Sequence, residues 1–440
     1  MTQAPTSYEQ YLADFEAFEA EAGPCQPDWL RQLRREAIAH FREMGLPLAR
    51  KGNEPWKYTN VAPVAKGEFA YARTCGDNFD LPPQIPWNDS WTTIVVSNDC
   101  SSVRSGQERK LPFSLAMGLN SGDETVCGHL ARQATPDYDG FVALNTAFLD
   151  EGAFIHVPKG ESLREPVHIV YVRDPASGPT VSYPRALIVA EPMSELTVIE
   201  TYAGWDGEAC LTNAVTEIVL KDGARVDHYK LMLESEDAFH VGCTRVEQAR
   251  DSTYSSLSYA RGARIGRNDL RVVLDGPGGS SHLKGLYVTA GSQHLDNYIN
   301  IDHAKPHCTS RLYYKGILDG ESRAVFGGTV LVRPGAVKTD AYQEDKNLLL
   351  SEKAEVDSKP SLEIYADDVK CGHGATAGTV TEDAIFYMRS RGLDLEKASA
   401  LLIQGFASEI TDSVRVAPLR AYLERLTLAS LRGFTHGLTS

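Results

Sequence analysis

Residues 366–378 read ADDVKCGHGATAG and bring two carboxylates, a thiol and an imidazole into one short run. Cys371 and His373 stand two apart, so an extended backbone carries both side chains on one face. Gly372 and Gly374 flank the histidine and leave the backbone open to close approach by a ligand or a neighbouring chain. Thiolate and imidazole are ligands that iron, iron–sulfur clusters and zinc favour. Two ligands do not close a metal site, so a stable centre would need others from elsewhere. The competing reading is a capped strand end whose thiol is a small buried hydrophobe.

Asp367 and Asp368 add an acid–base alternative, because β-helix polygalacturonases use aspartates with a G-H-G motif and Gly372-His373-Gly374 stands here. Against an enzyme built on Asp367, Asp368 and His373, successive carboxylates alternate faces and all three lie in one coil. Such enzymes gather these groups from different coils and are normally secreted. HAKPHC at 303–308 offers His303, His307 and Cys308. Pro306 disfavours a helix, so the imidazoles do not share a helical face as in a zinc H-x-x-x-H. Solvent-exposed or turn-stabilising histidines are the alternative. GPGGSS at 276–281 lacks the G-K-[ST] ending of a phosphate loop and no helical pattern follows it, which favours a β-turn.

The elements that must position these residues differ along the chain. Tyr8, Tyr11, Leu12, Phe15 and Phe18 recur at helical steps, and Trp29, Leu30, Leu33, Ala37 and Phe41 continue the pattern between Pro27 and Gly45. Thr379-Val-Thr-Glu382 has capping-box spacing ahead of AIFYMRSRG, with Gly392 as the stop. Asp394 caps the next helix, and Pro418 opens a last one. Between about 140 and 370 no helical period is visible, only short runs such as RALIVA, ELTVIET and LKGLYVT broken by turns. So long a stretch without helical crossovers excludes a doubly wound α/β sheet.

Similar turns recur at VPKGESL, VAEPMSEL, VLKDGARV, VLDGPGG and VRPGAVKTD, several of them near 30 residues apart or about twice that. A strand-plus-turn unit that cannot bury its own face points to a solenoid. The expectation is a mainly β core, a right-handed parallel β-helix with a sandwich as the alternative, flanked by N-terminal and C-terminal α-helical regions. The boundaries drawn are 1–90 for the N-terminal helices, 91–378 for the β-helix and 379–440 for the C-terminal helices.

Composition narrows the partners. Lys and Arg number 44 against 59 Asp and Glu, a net charge of −15 that repels phosphate backbones; no nucleic-acid partner is expected. No apolar run reaches the roughly 20 residues that span a bilayer, and MTQAPTSYEQ lacks the n- and h-regions of a signal peptide. A cytoplasmic protein without a membrane partner is expected. Its cysteines, at 25, 75, 100, 127, 210, 243, 308 and 371, form no C-x-x-C pair and are read as free thiols.

The run NLLLSEKAEVDSKPSLEIYADDVKCGHGATAGTVTEDAIFYMRSRGLDLEKASALLIQGF, at 347–406, closely resembles the SufD subunits of the SufB/SufD family, which serve the SUF iron–sulfur cluster assembly system. EPWKYTN at 54–60, HAKPHCTSRLYYKGIL at 303–318 and AVFGGTVLVRPGAVKTDAYQEDKNLLL at 324–350 support it. The resemblance implies a β-helix core between helical regions and a non-catalytic scaffold subunit. It implies pairing with the paralogue SufB, with a homodimer as the form open to the isolated chain. It also implies contact with the ATPase SufC through the C-terminal helices. ATP hydrolysis then belongs to SufC, whose dimerisation moves the helical domains and shifts the SufB–SufD interface, and no nucleotide binds this chain. A transient iron–sulfur cluster forms at that interface, where a SufD histidine in a C-x-H-G-A-T motif is implicated; the match carries that role to His373, with Cys371 beside it, for cluster assembly or iron entry. SufB-like chains carry a cysteine in C-D-S-L-L, where Asp345-Lys346-Asn347-Leu348-Leu349 stands here, and a glutamate after the histidine, where Gly374 stands. Both departures favour SufD. The serine usual between the cysteine and the histidine is Gly372.

Overall fold

The computed structural model describes residues 7–23, 26–49, 53–71, 80–97, 100–105, 114–172, 179–207 and 209–431. Cys25 and Cys75 lie outside them. Consecutive strands alternate between two ten-stranded sheets: Arg225–Leu233 lies in one, Phe239–Gln248 in the other, and Thr253–Ala260 returns to the first. Nearly all pairing is parallel. Within one sheet Arg225 pairs with Thr253, Thr253 with Ser280, Ser280 with Thr309, Thr309 with Asp340 and Asp340 with Lys370. These steps are the roughly 30-residue repeat of the sequence, one coil of a β-helix each, with side chains from both sheets sharing one core. The expected fold class is the observed one.

The coils stack because each buries the polar backbone and apolar face of the next, which no single strand–turn unit could do alone. GPGGSS is a turn in that stack: Gly278 has φ +77°, and a Cβ on Gly276 would lie 2.0 Å from the Arg250 backbone nitrogen of the previous coil. Glycine is required there by packing.

Helices cover the outside of both sheets. Ser7–Ala22 and Asp28–Met44, the latter entered through Pro27 and ended at Gly45, lay Tyr11, Phe15, Phe18 and Phe41 toward Phe239, Val241 and Ile265 on the outer face of one sheet. Burying each such ring stabilises by about 1.5–3 kcal/mol. A third helix, Gly140–Ala147, packs among them and is buried at every position. Because it is buried all round, Asn145 and Thr146 included, no solvent-facing stripe announced it.

At the other end, Glu382–Ser390, Leu395–Thr411 and Ala417–Leu431 follow the solenoid. Ile403, Ala407, Ile410, Leu419 and Leu423 seal the outer face of the second sheet against Tyr229, Leu231, Tyr259 and Leu286. Asp394 caps the middle helix by accepting from Lys397 N at 2.8 Å, as its position suggested. The cap of the preceding helix is Thr381 and not Thr379, with its hydroxyl accepting from Ala384 N. The strand before it runs to Gly378 and Val380 still packs on the sheet, so the chain is free to turn only at Thr381.

Candidate functional site at the open end of the solenoid

The last strand, Lys370–Gly378, pairs in parallel with Asp340–Leu349, placing Cys371 beside Ala341 and His373 beside Gln343. Ala341 and Gln343 are both buried, so this register is the one that faces the lumen. Cys371 and His373 therefore share a face, as their spacing requires. Their surroundings differ. Cys371 is half-buried against the core, and burial pushes its thiol up from the usual range. His373 is exposed, because no further described coil lies over it.

Strand Glu355–Ile364 closes the other sheet in the same way, so each sheet ends in a strand with only one partner among the described residues. Gly372 and Gly374 lie in the alternate, outward register. A Cβ would meet nothing closer than 3.3 Å at Gly372 and 3.9 Å at Gly374, and neither has positive φ. Neither packing nor backbone conformation demands glycine at Gly374; its effect is to leave the outer surface beside His373 bare. Tyr342, Ile364 and Tyr365 add exposed apolar surface at this end.

Asp367 and Asp368 do not join His373 in a cleft. Both are exposed in the turn before the strand, where Asp368 has φ +55° and pairs with Lys338. The HAKPHC residues also separate. His303 is buried with Nε2 2.9 Å from Ser310 Oγ, and burial lowers its pKa to about 4, so it is neutral. His307 turns outward at φ +63°, and Cys308 is buried with its thiol 3.3 Å from the Gly276 carbonyl. Among the described residues no three His, Cys, Asp or Glu side chains gather as a metal site.

Asp345, one coil below the last strand and in register with Ala375, is a group that no motif or spacing in the sequence marks for chemistry. It is a lumen carboxyl, accepting from Asn347 Nδ2 and Ser358 Oγ, each at 2.7 Å, and from the Tyr287 hydroxyl at 3.3 Å. Burial pushes it up to about 6 despite these donors. The only signal in the sequence was an acid on the inward parity of a strand, visible once the register is known.

Two family models cover nearly all of the chain: the SUF system FeS cluster assembly SufBD core domain matches residues 172–406, and the SufBD protein N-terminal region matches 5–169. This chain belongs to the SufBD family. An iron–sulfur cluster assembly SufBD family protein of Synechocystis is 30% identical over 86% of this chain and 87% of its own length. The iron–sulfur cluster assembly protein SufD of Escherichia coli is 29% identical over 94% of each chain, and SufD of Bacillus subtilis is 26% identical over 94% of this chain and 96% of its own. As a SufBD protein it takes part in iron–sulfur cluster assembly. Among the described residues no helix is long and apolar enough to cross a membrane.

Proposed function

We propose that this SufBD chain is a cytoplasmic, non-catalytic scaffold subunit that pairs with SufB through the open end of its β-helix and offers His373 to the cluster being built there. The observation that carries this reading is an exposed imidazole on a strand whose outer edge has no partner among the described residues. Such an edge presents a row of free N–H and C=O groups suited to a second chain. The cluster is cargo, held by His373 from this side and by ligands from SufB on the other, which accounts for the small donor set here. A ligating imidazole needs a lone pair, so the neutral ring is the working form. Cys371, packed against the core, is secondary.

SufC docks on the C-terminal helices in this reading. Ile403 is buried on the sheet and Leu402 and Phe406 are half-buried, whereas Leu401 is 46% exposed. Helix Glu382–Ser390 buries none of its residues, and its Phe386 and Tyr387 are 75% and 58% exposed. Exposed aromatic residues of this kind suit a partner surface. ATP hydrolysis there would move these helices and, through them, the SufB–SufD interface.

The test is co-expression with SufB and SufC. His373→Ala should still co-purify with both partners yet fail to support cluster formation in cells, and Cys371→Ser should lose less. Normal cluster formation by His373→Ala would reduce 366–378 to a strand end turning into a helix.

A further inference from the structure

On the outer face of the second sheet, away from His373, a hollow of about 240 Å³ opens between the strands and the turn joining the last two helices. We propose that this hollow binds a phosphate-class oxyanion, with Lys284 and Arg415 as its cationic contacts.

Register builds the floor. Asp227, Ser255, His282 and Arg311 follow one another across adjacent strands, and Lys284 stands in the next outward row, beside Leu257. Ser413 and Arg415 form the wall. The Tyr229 hydroxyl accepts from Arg415 N at 3.1 Å and fixes the turn against the sheet. Asp227 is taken up by Arg415 Nη1, at 3.1 and 3.2 Å, and Arg311 by Asp340 at 2.9 Å. Lys284 has no ion-pair or hydrogen-bond partner among the described residues, although it is half-buried.

Asp227 neutralises Arg415, so the hollow keeps one unpaired, half-buried ammonium, which is unfavourable unless a further anion joins it. Burial and then Arg415 push the Lys284 ammonium down. Burial, Arg311, Arg415 and Lys284 push the His282 imidazole down, against Asp227 alone. On a chain of net charge −15 this local excess is one cation, Lys284 and Arg415 against Asp227. Ser255 adds a hydroxyl donor, while the Ser413 hydroxyl is donated to the Ile410 carbonyl at 2.6 Å, so the set of ammonium, guanidinium and one hydroxyl matches a tetrahedral oxyanion. The volume lies below the roughly 300–1,000 Å³ of whole drug-sized ligands, which favours a single phosphoryl group.

The test uses the full chain, titrated calorimetrically with inorganic phosphate and with AMP. Saturable one-site binding is expected, weakened about tenfold by Lys284→Gln, equivalent to about 1.4 kcal/mol. Arg415→Gln should weaken it at least as much, since it also uncovers Asp227. Lys305→Gln, whose ammonium pairs with Asp275 elsewhere, should leave binding unchanged. Tighter binding of AMP would support the proposal with a nucleotide as the source, and tighter binding of phosphate would support it with the free ion. Absence of binding by both probes, or binding that Lys284→Gln leaves unaltered in a variant with unchanged melting, would overturn it.

Discussion

Strand Leu211–Leu220, early in the solenoid, is buried at all ten positions, whereas Glu355–Ile364 and Lys370–Gly378 at its end have no fully buried residue. All three are strands of the same parallel coils, so the difference lies in what surrounds them. The early strand has a neighbour on each side and helices outside. The late ones are edges. Polar groups in the sealed part must find partners within the chain: Arg185 and Glu217 are both fully buried and pair with each other. At the edge the same backbone leaves side chains and main-chain groups without a partner among the described residues. In the proposed reading the solenoid thus separates stability from recognition along its axis.

The sharpest way to break that contrast is Glu217→Ala. It would strand the buried Arg185 guanidinium and three backbone donors, Ala131 N at 2.8 Å, Gln133 N at 2.9 Å and Ala134 N at 3.1 Å. The expected cost is about 3–5 kcal/mol, read from the urea unfolding midpoint. A loss under about 1 kcal/mol would mean the sealed part does not depend on internal pairing.

Asp345 lies at the boundary and should show it through pH. Its carboxyl is pushed up to about 6 in the folded chain from an ordinary value of 3.8, so the native state binds the proton more tightly than the unfolded state. Stability from this group is therefore fully present below pH 3.8 and is lost as pH rises through about 6. Asp345→Asn should remove that loss, raising stability at pH 7.5 by on the order of 2 kcal/mol relative to its effect at pH 4. Parallel melting curves at the two pH values would check it; an equal effect at both would show the carboxyl is not proton-linked.

Phe386→Ala combined with Tyr387→Ala should change stability by no more than about 0.5 kcal/mol, since neither side chain is buried, while reducing SufC retention in co-purification. Point substitutions suit this helix better than deleting 380–440, because Ile403, Ile410 and Leu423 cover the sheet and their loss would bare it. The smallest stability effect belongs to His373→Ala, expected within about 0.5 kcal/mol in thermal melts. A larger loss would place His373 with the sealed coils.

Much of this arrangement was legible in the amino-acid order. The division into terminal helices and a strand-rich middle, the stop at Gly45, the cap at Asp394 and the shared face of Cys371 and His373 follow from local periodicity and capping chemistry. So does the turn at 276–281, and the family follows from the run at 347–406. Helix Gly140–Ala147 was not legible, because a helix buried all round has no stripe. The first C-terminal helix is capped at Thr381, two residues after the Thr379 that capping-box spacing predicts, because attachment of Val380 to the sheet cannot be read from that spacing.

What only the tertiary structure decided concerns neighbours from other coils. An acid on an inward strand position becomes a group titrating near 6 only where Tyr287, Asn347 and Ser358 surround it. A histidine beside a cysteine is exposed while the cysteine is half-buried only because the stack of described coils stops above them. Lys284 and Arg415 line one hollow because a helix turn far along the chain folds back over the sheet. Local sequence sets which way a side chain leaves the backbone, with a period of two or 3.6. Which coil, helix or open solvent it then meets depends on long-range packing, and no local pattern encodes it.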